Sequence, residues 1–263
     1  MATMMTTMTT GLLLLLLAGV TVSRVVDLDK RVYKGVPCDK KDHKYHVRLR
    51  TVDAKGNTFA SGGSLISKQW ILTAGHNVEP GETVTAILGF HPAETKGKEV
   101  IIIDQPIRYS DPDGPHDLML LKLPDADHGF PFARLTVCSN TPKITDTVQI
   151  AGIGATGADA TGLKGGDLKT TLHCGNTEVV QCEKICNTAS SFYNKNEQLI
   201  CYQKPDVDTS KGDSGGGVEF KGMIYGVHIR GSIYACDRPA SAIKICDLKY
   251  KKWINGNTGL KIL

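Results

Sequence analysis

From about residue 45 to residue 246 the chain is a succession of short β-type runs broken by turn residues. That pattern restricts the fold more than any other feature. The runs include "YHVRLRTV" (45–52), "QWILTA" (69–74), "TVTAIL" (83–88), "KEVIIID" (98–104), "DLMLLKL" (117–123), "TVQIAGIG" (147–154), "GMIYGVHI" (222–229) and "AIKIC" (242–246). Pro, Gly, Asn and Asp separate them at the spacings of an all-β sandwich or barrel. Helical signal is scarce. One candidate is "NTEVVQCEKICNTA" (176–189), and the other is the tail "DLKYKKWI" (247–254), where Asp247 can cap and Leu248 and Trp253 can dock. With 263 residues, 41% of them hydrophobic, one large core or two smaller ones can be buried. No fixed repeat or low-complexity linker divides the chain, so one double barrel is the economical arrangement.

The N-terminus leads to the expectation that the chain is exported. Leu12 to Leu17 form an apolar run too short to span a bilayer. Thr21 and Ser23 then supply the small positions of a signal-peptidase cut, although no basic residue precedes the run. A retained signal anchor is the alternative. Residues 1–23 are therefore expected to be a signal peptide, and the mature protein is secreted with no membrane contact. Eight cysteines in an exported chain point to disulfides rather than thiols or metal ligands. No His-Glu-x-x-His or paired Cys-x-x-Cys supports zinc. Charge is mixed, 31 Lys+Arg against 27 Asp+Glu, without a long basic block, so nucleic acid is not an expected partner.

The stretch "KGDSGGGV" (211–218) sets Ser214 between an aspartate and glycines. A tight turn favours the same residues, so a catalytic meaning requires a base and an acid elsewhere. His76 ends the apolar run in "SGGSLISKQWILTAGHN" (61–77), and Asp117 opens "DLMLLKL". A carboxylate at the mouth of a buried strand needs a hydrogen-bond donor, and an imidazole N–H is one.

These motifs, with "IAGIGATG" (150–157), closely resemble those of the trypsin-like, chymotrypsin-fold serine proteases, in the family's order and from about residue 32 to residue 253. The resemblance implies two packed six-stranded antiparallel β-barrels, about 32–140 and 141–250, with a short C-terminal helix. It implies peptide-bond hydrolysis through an acyl-enzyme, with Ser214 as nucleophile, His76 as base and then acid, and Asp117 holding the imidazole. The oxyanion hole falls to the N–H groups of Gly212 and Ser214. Residues 24–31 become an activation propeptide: a cut after Arg31 frees Val32, whose ammonium meets Asp213, though Lys34 replaces a usual glycine. Proteins or peptides are the expected substrates, with protein protease inhibitors as further partners, acting on a monomer without cofactor or metal. Glu94 and Glu99 fall short of a calcium set.

Substrate choice by the same resemblance rests on Asp208 at the base of the primary pocket, walled by Gly231 and Ala240. It implies cleavage after Arg or Lys. Ile229, Arg230 and Ala240 depart from the family pattern, and they keep a second function class open: a protease-fold binding protein with little turnover. Arg230 in place of an aromatic cleft wall suggests an attraction for acidic residues further along the substrate. The resemblance pairs Cys38 with Cys174, Cys138 with Cys246 and Cys186 with Cys201, and Cys182 and Cys236, which remain, pair by elimination. The alternative is Cys182–Cys201 with Cys186–Cys236. Ser61 and Asn77 stand where one familiar bridge is lost, and Ser210 removes another.

Overall fold

The computed structural model describes residues 32–126, 128–154, 157–165, 171–182 and 195–262. The signal and propeptide segments, Arg31 and Cys186 lie outside the described residues. The described chain is all-β apart from a single-turn 3₁₀ helix and one C-terminal α-helix.

A two-residue strand comes first, β1 (Val36–Pro37). It is followed by β2 (His46–Val52), β3 (Thr58–Leu65), β4 (Trp70–Thr73), β5 (Thr83–Leu88), β6 (Lys98–Ile101), β7 (Ile107–Asp111) and β8 (Gly114–Lys122). Strands β2 to β8 form a seven-stranded antiparallel sheet in the order β6-β5-β2-β3-β4-β8-β7. Its alternation is legible in β2, where Val47, Leu49 and Thr51 turn inward while Arg48 and Arg50 are only half-buried.

The second half contributes β9 (Thr147–Gly152), the short hairpin β10 (Gly157–Ala158) and β11 (Lys164–Gly165), β12 (His173–Val180), β13 (Leu199–Gln203), β14 (Gly217–Phe220), β15 (Met223–Arg230) and β16 (Ala240–Lys244). Its order is β1-β12-β13-β16-β15-β14-β9, and β9 also pairs with β12. Six strands thereby close into a barrel, with β1 attached along β12. The first half is thus a seven-stranded sheet where a six-stranded barrel was expected, and β1 joins the second half.

The region expected to be helical around residue 179 is instead strand through Val180. Thr177 and Val179 point inward and Asn176 and Glu178 outward, an alternation of period two that no helix makes. Residues 183–194 lie outside the described residues. The tail helix, α1 (Leu248–Thr258), is capped by the Asp247 carboxylate, which accepts from Lys249 N, and ends on Gly259 in the left-handed region. Tyr250 and Ile254 are fully buried beneath it, and Trp253 packs at its edge. Leu248 does not dock; it is exposed.

One apolar cluster runs across both halves. Leu72, Leu118 and Leu120 of the first sheet meet Val227, Ile229 and Ile243 of the barrel and Tyr250 and Ile254 of α1. The cluster fixes the two halves together, so residues facing each other across the cleft hold a defined geometry.

Candidate active site

Strand β4 runs antiparallel to β8, with Thr73 opposite Met119. Continuing that register two residues past Thr73 brings the Gly75–Asn77 turn onto Asp117. There His76 Nδ1 lies 2.8 Å from Asp117 Oδ2 and 3.0 Å from Oδ1, while His76 N donates to Oδ1 at 2.8 Å. Asp117 is 2% exposed. Its buried charge therefore has two donors, which is what makes its burial tolerable.

Ser214 approaches from the other half. His76 and Ser214 line one cavity of about 290 Å³, together with Ser61, Asn77, Lys211 and Gly212. The backbone around Ser214 adopts conformations that residues with a side chain rarely take: Gly212 has φ of 105° and Gly215 of 85°. A Cβ on Gly215 would stand 2.2 Å from Gly62 O and Thr73 Oγ1. The glycines thus let the nucleophile loop lie directly against β3 and β4. Among the described residues neither the Gly212 nor the Ser214 N–H donates to a protein acceptor.

Asn77 occupies the place of a lost bridge and has a job there. Its Nδ2 donates to Ser214 O at 2.9 Å, to Thr73 Oγ1 at 2.8 Å and to Gly62 O at 3.3 Å. Gly62 N also donates to Ser214 O, at 2.8 Å. The turn carrying His76 and the loop carrying Ser214 are therefore tied by one side-chain amide.

Behind Asp117 lies a carboxylate that sequence reasoning missed. Glu197 accepts from Asp117 N at 2.8 Å through Oε1 and from Arg230 Nη2 at 2.6 Å through Oε2, with its side chain fully buried. Burial raises its pKa, and the Arg230 charge opposes that rise. Arg230 is accordingly held by Glu197, and the acidic-substrate role expected for it loses its free charge. Nearby, His228 is buried and bonded to Tyr202 Oη at 2.6 Å; desolvation, then the neighbouring His76, pushes its pKa down to about 3.

Asp213 accepts from Gly154 N and Ser210 N, each at 2.7 Å. Among the described residues these backbone groups are its hydrogen-bond partners. Burial raises its pKa to about 6 against those two bonds. Val32 is 0% exposed and packs in the barrel core, and Tyr33 bridges Asp208.

Asp208 is buried, and its carboxylate is already in use. Oδ2 takes Lys164 Nζ at 2.8 Å and Cys236 N at 2.9 Å, and Oδ1 takes Thr209 N at 2.7 Å. Ala240 is 2% exposed. A Cβ on Gly231 would meet Thr209 Oγ1 at 2.4 Å and Ala240 Cβ at 3.9 Å, so these residues do converge on one narrow wall.

The Cys38–Cys174 and Cys138–Cys246 bridges form as expected. The expected Cys186–Cys201 and Cys182–Cys236 pairs give way to the Cys182–Cys201 bridge of the alternative pairing; among the described residues Cys236 has no disulfide partner, and Cys186 lies outside them. The reason is register. Cys201 lies opposite Val180, and Cys182, two residues on, points to the same side.

Comparison with known proteins adds an independent line. The family model described as "Trypsin" matches residues 32–254. "Thrombin-like enzyme cerastocytin" of Cerastes cerastes is 28% identical over 242 residues, covering 86% of this chain and 88% of its own. A solved structure described as HL collagenase superposes with a TM-score of 0.70 at 23% identity, over 88% of this chain and all of that one. The scabies mite inactivated protease paralogue S-I1 matches with a TM-score of 0.65 at 21% identity, over 86% of this chain and 98% of its own. At those identities the two structures speak for the fold.

Proposed function

The chain belongs to the trypsin family of serine proteases, and from that premise we propose that it cleaves peptide bonds by forming an acyl-enzyme on Ser214. Its substrates are proteins or peptides. In this reading His76 Nε2 removes the Ser214 proton as Oγ attacks the scissile carbonyl, then returns it to the leaving amine. Asp117 holds the proton on Nδ1, so that Nε2 carries the lone pair that takes the serine proton. The Gly212 and Ser214 N–H groups receive the oxyanion, and one such donor contributes about 3–4 kcal/mol to the transition state.

The observation that carries this reading is the 2.8 Å contact between His76 Nδ1 and buried Asp117, at the edge of a cavity that His76 shares with Ser214. The same reading makes the protein a secreted zymogen. Residues 1–23 leave on export, and cleavage after Arg31 frees Val32 to supply Asp213 with a cation. The raised pKa of Asp213 supports that part, because a buried carboxylate with backbone partners alone gains most from an incoming ammonium.

Hydrolysis of casein tests both parts. Wild type cut after Arg31 degrades it, whereas Ser214→Ala and uncut Arg31→Gln do not. Turnover by Ser214→Ala would remove the nucleophile assignment, and full activity of Arg31→Gln would remove the zymogen. The internal engagement of Asp208 and Arg230 favours one rival, a protease-fold binding protein, which predicts no turnover in any form. Cleavage after Arg or Lys needs Asp208 to be open to substrate.

A further inference from the structure

Lys164 belongs to the β10–β11 hairpin, where it pairs with Ala158. Backbone bonds stitch this hairpin to the segment between β15 and β16. Lys164 N donates to Ile233 O and Ala235 N to Gly162 O, both at 2.9 Å, and Leu163 bridges Tyr234. The next residue in that segment, Cys236, donates its N–H to Asp208. The hairpin therefore packs on the segment that bonds Asp208, and the Lys164 side chain reaches from it to the Asp208 carboxylate.

The Lys164 side chain is 3% exposed, and its Nζ lies 2.8 Å from Asp208 Oδ2 and 2.5 Å from Thr209 O. An ammonium in that position makes the contacts a substrate lysine would make: a charge-assisted bond to the carboxylate and one to a backbone carbonyl. A second cation cannot share the carboxylate without facing Lys164 at close range in a poorly solvated site. Nor is this the arrangement of a barrel lacking its N-terminal segment. Val32 is fully buried, and Asp208 N donates to Tyr33 O at 3.3 Å.

We infer that Lys164 is a specificity-determining residue, an internal occupant of the primary pocket that answers Asp208 in place of substrate. The pocket is then shallow and electrically neutral. It selects short uncharged side chains at the position before the scissile bond and rejects Arg and Lys. The inference rests on the proteolytic reading of this cleft, but occupancy of the pocket can be measured without turnover.

The probe is p-aminobenzamidine, a fluorescent cation that mimics an arginine side chain, applied before and after cleavage following Arg31. Neither wild-type form binds it saturably, and Lys164→Ala does. In a peptide library, cut wild type cleaves after short uncharged residues, and Lys164→Ala shifts toward Arg and Lys by at least about tenfold. Acetylation of the native protein keeps the result decisive should Lys164→Ala fail to fold. Lys164 stays unmodified while the exposed Lys40 and Lys41 react. Amidine binding by cut wild type as tight as that of Lys164→Ala overturns the inference. So does acetylation of Lys164 in folded protein, or a folded Lys164→Ala that binds no amidine. If Ser214 proves unreactive while the amidine and acetylation results hold, the proteolytic reading fails and pocket occupancy stands.

Discussion

Asn77 shows how much a single amide can hold. It sits one residue after His76, is 8% exposed, and spans to Ser214 O in the opposite half, 137 residues away. Replacing it with alanine removes its bonds, although Ser214 O keeps Gly62 N and Gly62 O keeps the Thr73 hydroxyl, at a cost of about 0.5–1.5 kcal/mol for each bond lost. Asn77→Ala is therefore expected to lower the urea midpoint. It should also reduce kcat more than it raises KM, because it loosens the nucleophile loop and touches no substrate-binding group. An unchanged kcat with a lowered midpoint would reduce Asn77 to a structural role. His76, Asp117 and Ser214 were legible in the sequence because each lies within a run of local motif. Lys164 and Glu197 were not. Lys164 meets Asp208 across 44 residues, and Glu197 meets Asp117 across 80. Nothing in the neighbourhood of either residue marks it, since a lysine or glutamate in a turn-rich segment reads as solvated surface until packing closes over it.

At the scale of elements, strands were readable and their partners less so. The capped α1 announces itself by Asp247, but its docking face is Tyr250 and Ile254 rather than Leu248. The strand β12 was obscured because 176–189 read as a helix candidate, while the inward Thr177 and Val179 carried the true period. The same register decides the cysteines. Peptide mapping without reduction is expected to recover a Cys182–Cys201 linked pair, and Cys182→Ser should destabilise by about 2–4 kcal/mol. A Cys182–Cys236 linked peptide would instead show that the β12–β13 register is not the one described.

Across the whole molecule, Val32 is buried in the core of the second barrel and Asp213 is buried in the nucleophile loop. Its ordinary pKa is 3.8, and burial lifts it to about 6 in the uncut chain. Below pH 4 it is protonated folded or unfolded, and above pH 6 it is charged in both. Between these values the folded chain keeps the proton longer. Asp213 therefore withdraws stability as pH rises through that window, by about 3 kcal/mol in total. A cation arriving from Val32 would reverse the shift. A carbon-detected NMR titration on Ser214→Ala, which cannot digest itself, is expected to place Asp213 near 6 before cleavage after Arg31 and below 3.8 afterwards. An unchanged value would mean that no ammonium reaches it.

The catalytic claim itself comes down to whether Ser214 is activated by His76 across the cleft. The most direct measurement is intact-mass analysis, with peptide mapping, of the chain cut after Arg31 and exposed to a fluorophosphonate. One adduct on Ser214, lost in His76→Ala, is the predicted result. A folded, cut protein that takes up no adduct, or labels equally without His76, would contradict it.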